Sequence, residues 1–192
     1  MDTGRPILAD TTDLRVLTLA SILELWERAG LELGEAAVVG GPHPLSALVA
    51  RAALWSGASR VMHVGAGALD AGIMSIEASP ADAAVAQLNA FIAGAPGLAA
   101  VDLSGSSHVI ELLVATLPRW GRLLLAGPSE RFSVDFYNDV HRKGAVVAGA
   151  SLDPAAFLDR PTPPSALLER AARLLARDEI RRALTAPAQT LV

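Results

Sequence analysis

The chain has 192 residues, of which 52% are apolar, so it can bury one substantial core, and a single domain over 1–192 is the default expectation. A formal charge of -4 gives no basic face for nucleic acid, and the absence of cysteine excludes disulfides and cysteine-based zinc sites. The opening residues Met1 to Pro6 lack a signal-peptide pattern, and no apolar run approaches the roughly 20 residues needed to cross a bilayer. A soluble cytoplasmic protein with no nucleic-acid or membrane partner is therefore expected.

In chain order, Thr11, Thr12 or Asp13 can cap a helix whose apolar positions Leu14, Leu17, Ile22, Leu25 and Trp26 recur at helical spacing, ending near Gly30 and Gly34. Ala36 to Val39 reads as a short buried strand, Leu45 to Trp55 as a helix closed by Gly57, and Arg60 to Val64 as a second strand. Strand, helix and strand within about thirty residues make one βαβ unit. Next, Gly65 to Gly72 offers eight residues where a parallel crossover normally takes about a dozen. Either that crossover lacks a full helix, or Ile73 to Ile76 is not a regular parallel strand.

Ser79 as cap and Pro80 at the first helical position predict a helix running to Ile92. Leu98 to Leu103 then reads as a strand, His108 to Leu117 as a helix whose caps come from the preceding serines, and Gly121 to Ala126 as a strand. A short helix after Phe132 to Tyr137 leads to a last strand at Ala145 to Ala148. The proline-rich stretch Pro161 to Pro164 precedes a terminal helix over 165–184 with Leu167, Leu168, Ala171, Leu174 and Leu175 on one face. The rhythm predicts an α/β fold, a single Rossmann-like, doubly wound, mostly parallel sheet.

Four segments carry a family resemblance. Arg28 to Glu35, Ser56 to Val61, Pro118 to Gly127 and Asp135 to Gly144 are similar to the lead-ins to the first two strands, a late strand and the segment before the final strands of the medium-chain dehydrogenase/reductase family, the zinc alcohol dehydrogenase-like enzymes. The likeness covers roughly residues 14–155, the cofactor-binding half, and implies NAD(P) as the cofactor to test first. The family's GroES-like domain, which brings the catalytic zinc, is expected to be missing, and the four histidines show no zinc-ligand spacing.

The turn Gly40-Gly41-Pro42-His43-Pro44-Leu45-Ser46 stands where the family has a G-x-G-x-x-G loop. Aligned on Ser56-Gly57-Ala58, Gly41 takes the first glycine position, His43 the second and Ser46 the third. A side chain at the second fills space that a pyrophosphate needs. Gly65 stands where the family commonly has an acidic residue for the ribose. The expectation is a degenerate cofactor loop with no cofactor assigned, a small-molecule ligand in its place, and NAD(P)-dependent chemistry with a partner subunit as the alternative.

Two candidate groups lie at the carboxyl ends of parallel strands, where open α/β sheets bind ligands. His43 suits acid–base chemistry, or it is an ordinary loop histidine. The run Ser104-Gly105-Ser106-Ser107-His108, with Gly127 beside it on the rim, either caps a helix or forms an anion site, with Ser106 and His108 as its reactive groups. His63, between Met62 and Val64, is expected to pack or hydrogen-bond. His141-Arg142-Lys143 and the arginines of the terminal helix read as solvated charge. In the resembled family the last strands join two sheets, so Val146 to Ala150 is the expected homodimer edge, with a non-catalytic dimeric scaffold as a third functional reading.

Overall fold

A computed structural model describes residues 13–42, 45–67, 69, 72–152, 165–178 and 180–181. Thr11, Thr12, His43, the 161–164 stretch and the tail after Pro187 lie outside them. The chain divides into two compact units, one of residues 1–24 and 152–192, the other of Leu25–Ser151.

The larger unit is a six-stranded sheet in the order β3-β2-β1-β4-β5-β6, every neighbouring pair parallel. Its strands are β1 (Ala36–Gly40), β2 (Arg60–Val64), β3 (Ile73–Ile76), β4 (Leu98–Asp102), β5 (Arg122–Leu125) and β6 (Val146–Gly149). The helices are α1 (Leu14–Arg28), α2 (Leu45–Trp55), α3 (Ala81–Ile92), α4 (Ser107–Thr116), the π-helical turn α5 (Phe136–His141) and α6 (Ser165–Leu175). All five residues of both β1 and β4 are buried, which is why they read as unbroken apolar runs rather than alternating ones. Met62, Val64, Ala100 and Leu123 join residues of α3 and α4 in one core, while α2 lies against β1 and β2. The Rossmann-like α/β class expected from the sequence is the class observed.

The crossover from β2 to β3 carries no helix among its described residues, and β3 is nonetheless a regular parallel strand in register with β2. Geometry permits this because β3 is four residues long. Returning along such a strand takes about 13 Å, whereas eight extended residues reach about 26 Å. Leu69 is buried, and its amide donates to Ser75 Oγ at 3.2 Å, so part of the connection folds back onto the strand it feeds.

Several predicted boundaries move. Pro80, at φ -72° and ψ 146°, is the extended residue before α3 rather than its first helical residue, so Ser79 stands outside the cap position. Strand β4 ends at Asp102 instead of Leu103, and β6 starts at Val146. Strand β5 covers Arg122 to Leu125 only, because the Ala126 and Gly127 amides both turn onto Asp102 O. Helix α6 breaks after Leu175, where the Arg181 side chain donates to the carbonyls of Leu175 and Ala176, and helical backbone returns at residues 178 and 180–181. Asp13 supplies the cap of α1: its Oδ1 accepts from the Arg15 amide at 2.9 Å, and the Arg15 guanidinium holds its carboxyl down at about 2.

At the amino end of the sheet, the nearly buried Glu35 pairs with Arg122, whose Nε also donates to Ala29 O at 2.9 Å. The other bonds to this carboxylate are local, with the Glu32 amide donating to Oε2 at 2.9 Å. The pair joins the lead-in to β1 with β5, on either side of β4. Removing one partner strands a buried charge, so Arg122→Met is expected to lower stability by about 3 kcal/mol. Arg173→Ala, which breaks an exposed pair with Glu169, is expected to cost under about 0.5 kcal/mol. Urea denaturation of both variants checks the contrast, and equal midpoints would refute it.

Candidate functional site

The chain order reverses between β1 and β4, placing a topological switch point at their carboxyl ends. Gly40 lies opposite Asp102 in register, so the loops leaving the two strands start side by side. Asp102 is fully buried. Its Oδ1 accepts from Ser104 Oγ at 2.6 Å and from the Ser104 amide at 3.2 Å, while Oδ2 accepts from the Gly105 amide at 3.0 Å. A buried carboxylate needs such donors to be tolerated, and here they all come from the turn that it shapes.

That turn engages several of its own polar groups within the chain. The Ser106 amide donates to Ser104 Oγ at 3.1 Å, and the Ser107 amide faces Glu130 Oε2 at 3.5 Å. No serine side chain caps α4, which corrects the capping expected of this run. The hydroxyl of Ser104 is already bonded to Asp102, and Ser106 holds the cap position with extended backbone, at φ -71° and ψ 127°. The helix begins at Ser107, one residue ahead of His108. His108 is exposed, and its Nε2 lies 2.9 Å from Ala78 O, between β3 and α3.

Gly40, Gly41, Ser104, Gly105 and Gly127 do come together. The Leu103 amide donates to Gly40 O at 2.7 Å, and the Glu130 amide to Gly105 O at 2.9 Å. Gly41 is buried, with φ +140°, and a Cβ placed on it would lie 2.8 Å from Leu103 Cβ and 3.1 Å from the Ser104 amide nitrogen. The space beside this glycine is thus filled by the loop after β4. Ser46 is fully buried in the first turn of α2, where its hydroxyl donates to Pro42 O at 3.0 Å, so it packs and bonds locally. His43 lies outside the described residues.

Two residues gain importance from the structure. Asp102 was visible as an acid inside the apolar run Leu98 to Leu103, a position where burial demands partners. His63 is fully buried, with Nε2 2.7 Å from Gly41 O, which bears out its reading as a hydrogen-bonding strand residue. Away from the crevice, Lys143 donates to Ala115 O at 2.9 Å near the carboxyl end of α4, and His141 stacks on Tyr137. Lys143 is therefore a helix-end partner rather than free surface charge.

These features define an open, all-parallel Rossmann-like sheet whose switch-point loops are sewn to each other. Among solved structures the chain is similar to benzyl alcohol dehydrogenase from Acinetobacter calcoaceticus, at 17% identity and TM-score 0.63, covering 89% of this chain and 46% of that one. It is similar also to galactitol-1-phosphate dehydrogenase from Escherichia coli, at 16% identity and TM-score 0.66, covering 84% and 48% of the two chains. A third is 2R,3R-butanediol dehydrogenase from Bacillus subtilis, at 20% identity and TM-score 0.63, covering 94% and 55%. The chain spans about half the length of these dehydrogenases. No protein-family profile matches the chain, and no curated protein matches it by sequence. At such identities the likeness is one of fold, and the resemblance to the cofactor-binding half of medium-chain dehydrogenases is borne out at that level.

Among the described residues, no three His, Asp or Glu side chains are grouped to hold a metal ion. At the position of the fingerprint's third glycine, which lets helix and strand pack closely, Ser46 is fully buried and bonded to Pro42 O.

Because Asp102 organises both loops, Asp102→Asn is expected to lower stability by about 2 kcal/mol, and Ser104→Ala by about 1 kcal/mol. Urea titrations measure both. A change under about 0.5 kcal/mol in Asp102→Asn would mean that the turn stands without its carboxylate.

Proposed function

We propose that this chain is a dehydrogenase-type Rossmann domain whose switch-point crevice takes a small molecule other than NAD(P). Ser46, fully buried in α2 at the fingerprint's third glycine position, is the observation that carries this reading. Two sequence features support it: His43 and Ser46 stand at glycine positions of the dinucleotide fingerprint, and Gly65 stands at the acidic position. With hydride transfer from a nicotinamide set aside, the crevice serves a non-redox step such as isomerisation, cyclisation or elimination. His43 is then its acid–base group, a role that a histidine fills near neutral pH.

Titration with NADH and NADPH, followed by fluorescence and calorimetry, is expected to show no saturation below about 1 mM. Low-micromolar binding with carbonyl-dependent nicotinamide oxidation would establish instead an oxidoreductase that works with a partner subunit. Native mass spectrometry of the purified protein supplies the ligand. With the reaction in hand, His43→Ala is expected to slow turnover by about 100-fold or more. Biological activity that survives His43→Ala and Ser106→Ala but is abolished by edge-strand substitutions would favour a non-catalytic scaffold.

The exposed edge strand supports a homodimer. Along β6 only Val147 is half-buried, and Val146 is 54% exposed. An apolar edge of this kind calls for pairing or cover, and the segment Val146 to Ala150 is the proposed seam between two copies. Sedimentation is expected to give about 40 kDa, twice the 19.9 kDa of one chain, and Val146→Lys is expected to give monomers. A wild-type monomer at micromolar concentration would end this assignment.

A further inference from the structure

We infer that His63 and Gly65 form a latch on the Gly41 carbonyl, which commits position 65 to glycine and so sets the class of ligand the crevice accepts. The inference rests on the reading above, that the crevice does not take NAD(P).

The latch starts from strand alternation. Met62 and Val64 point into the core shared with α3 and α4, so His63 points to the opposite face of β2, where it is fully buried. Its Nε2 lies 2.7 Å from Gly41 O. A carbonyl oxygen only accepts, so Nε2 carries the hydrogen and donates. The other ring nitrogen, Nδ1, is buried with no hydrogen-bond partner among the described residues. A buried histidine that leaves one nitrogen unpaired is costly to keep, and the bond to Gly41 is what it gains in return.

Position 65 completes the arrangement. A Cβ on Gly65 would lie 2.8 Å from Gly41 O, 3.0 Å from His63 Nε2 and 3.1 Å from His63 Cε1. The obstructing carbonyl has little freedom to withdraw. Besides the His63 bond, the Gly41 amide donates to Val64 O at 3.1 Å, and the open side of Gly41 abuts Leu103. The Gly65 amide is itself engaged with Ile76 O at 3.0 Å. Any side chain at 65 must therefore displace the imidazole or the loop after β1.

The functional consequence follows from where position 65 sits. In an NAD site, an acidic residue roughly 20 residues beyond the fingerprint holds the ribose hydroxyls. Here the end of β2 cannot present one while His63 grips Gly41. The missing acid and the buried histidine are thus one coupled change. The crevice selects against ligands anchored through the free hydroxyls of an adenosine ribose, as NADH is, and leaves molecules that need no carboxylate at this edge.

The test is a double-mutant cycle on the full chain, with His63→Ala, Gly65→Ala and the double variant compared by urea denaturation. Gly65→Ala is expected to lower the folding constant at least about tenfold more in the wild-type background than in His63→Ala. Equal costs in the two backgrounds, with no NADH binding by the wild type, would overturn the latch alone. Saturable low-micromolar NADH binding by the wild type would overturn the crevice reading and the ligand-class consequence, whatever the cycle gives. A nitrogen-correlated NMR spectrum of the wild-type imidazoles needs no variant to fold. It is expected to show the His63 ring hydrogen on Nε2, and a ring with that hydrogen on Nδ1 would refute the latch.

Discussion

The carboxylate of Asp102 is the constraint on which the carboxyl end of the sheet depends. It is fully buried at the end of the central strand β4, and an unpaired charge there would be intolerable. The chain meets that demand locally, folding the next residues back so that the Ser104 hydroxyl and the amides of Ser104 and Gly105 donate to it. Once this turn is set, Leu103 and Ser104 come to lie against Gly41, and the start of α4 is fixed. The arrangement of the candidate site is thus a by-product of supplying one buried acid with donors from its own turn.

The same logic explains why the switch point is crowded. Strands β1 and β4 leave the sheet in opposite directions of the chain order, which normally opens a crevice between their loops. Here Gly41 is bonded or packed on three sides, by Val64, His63 and Leu103. Glycine in this loop makes room for protein. In a dinucleotide fingerprint it is the second glycine, the position of His43 here, that makes room for phosphate.

Most of the architecture was legible in the sequence because its signals are local. Buried parallel strands read as aliphatic runs such as Ala36 to Val39, and α2 was bounded by residues that sit at its observed ends, Leu45 and Trp55. The misreadings arose where one residue type serves two purposes. Serine before a helix is the ordinary cap, yet Ser104 spends its hydroxyl on Asp102, and Ser79 is held outside α3 by an extended Pro80. The candidate site was legible in outline, as the rim carrying Gly40, Gly41, Ser104, Gly105 and Gly127. The bond between His63 and Gly41 joins residues 22 positions apart, and no periodicity reports a contact of that kind.

The short crossover after β2 bears on how the sheet is tied together entropically. It brings Val61 beside Ile73, 12 positions away, whereas the β1–β4 seam pairs Ala36 with Leu98, 62 positions away. Closing the longer loop costs about 1.5 kcal/mol more in chain entropy by the logarithmic dependence on length. The seam with the largest closure penalty is also the one that carries Asp102, Gly40 and the sewn loops. Its dense polar stitching therefore offsets the least local pairing in the sheet, and any loosening there for a ligand would draw on the reserve that joins the two halves.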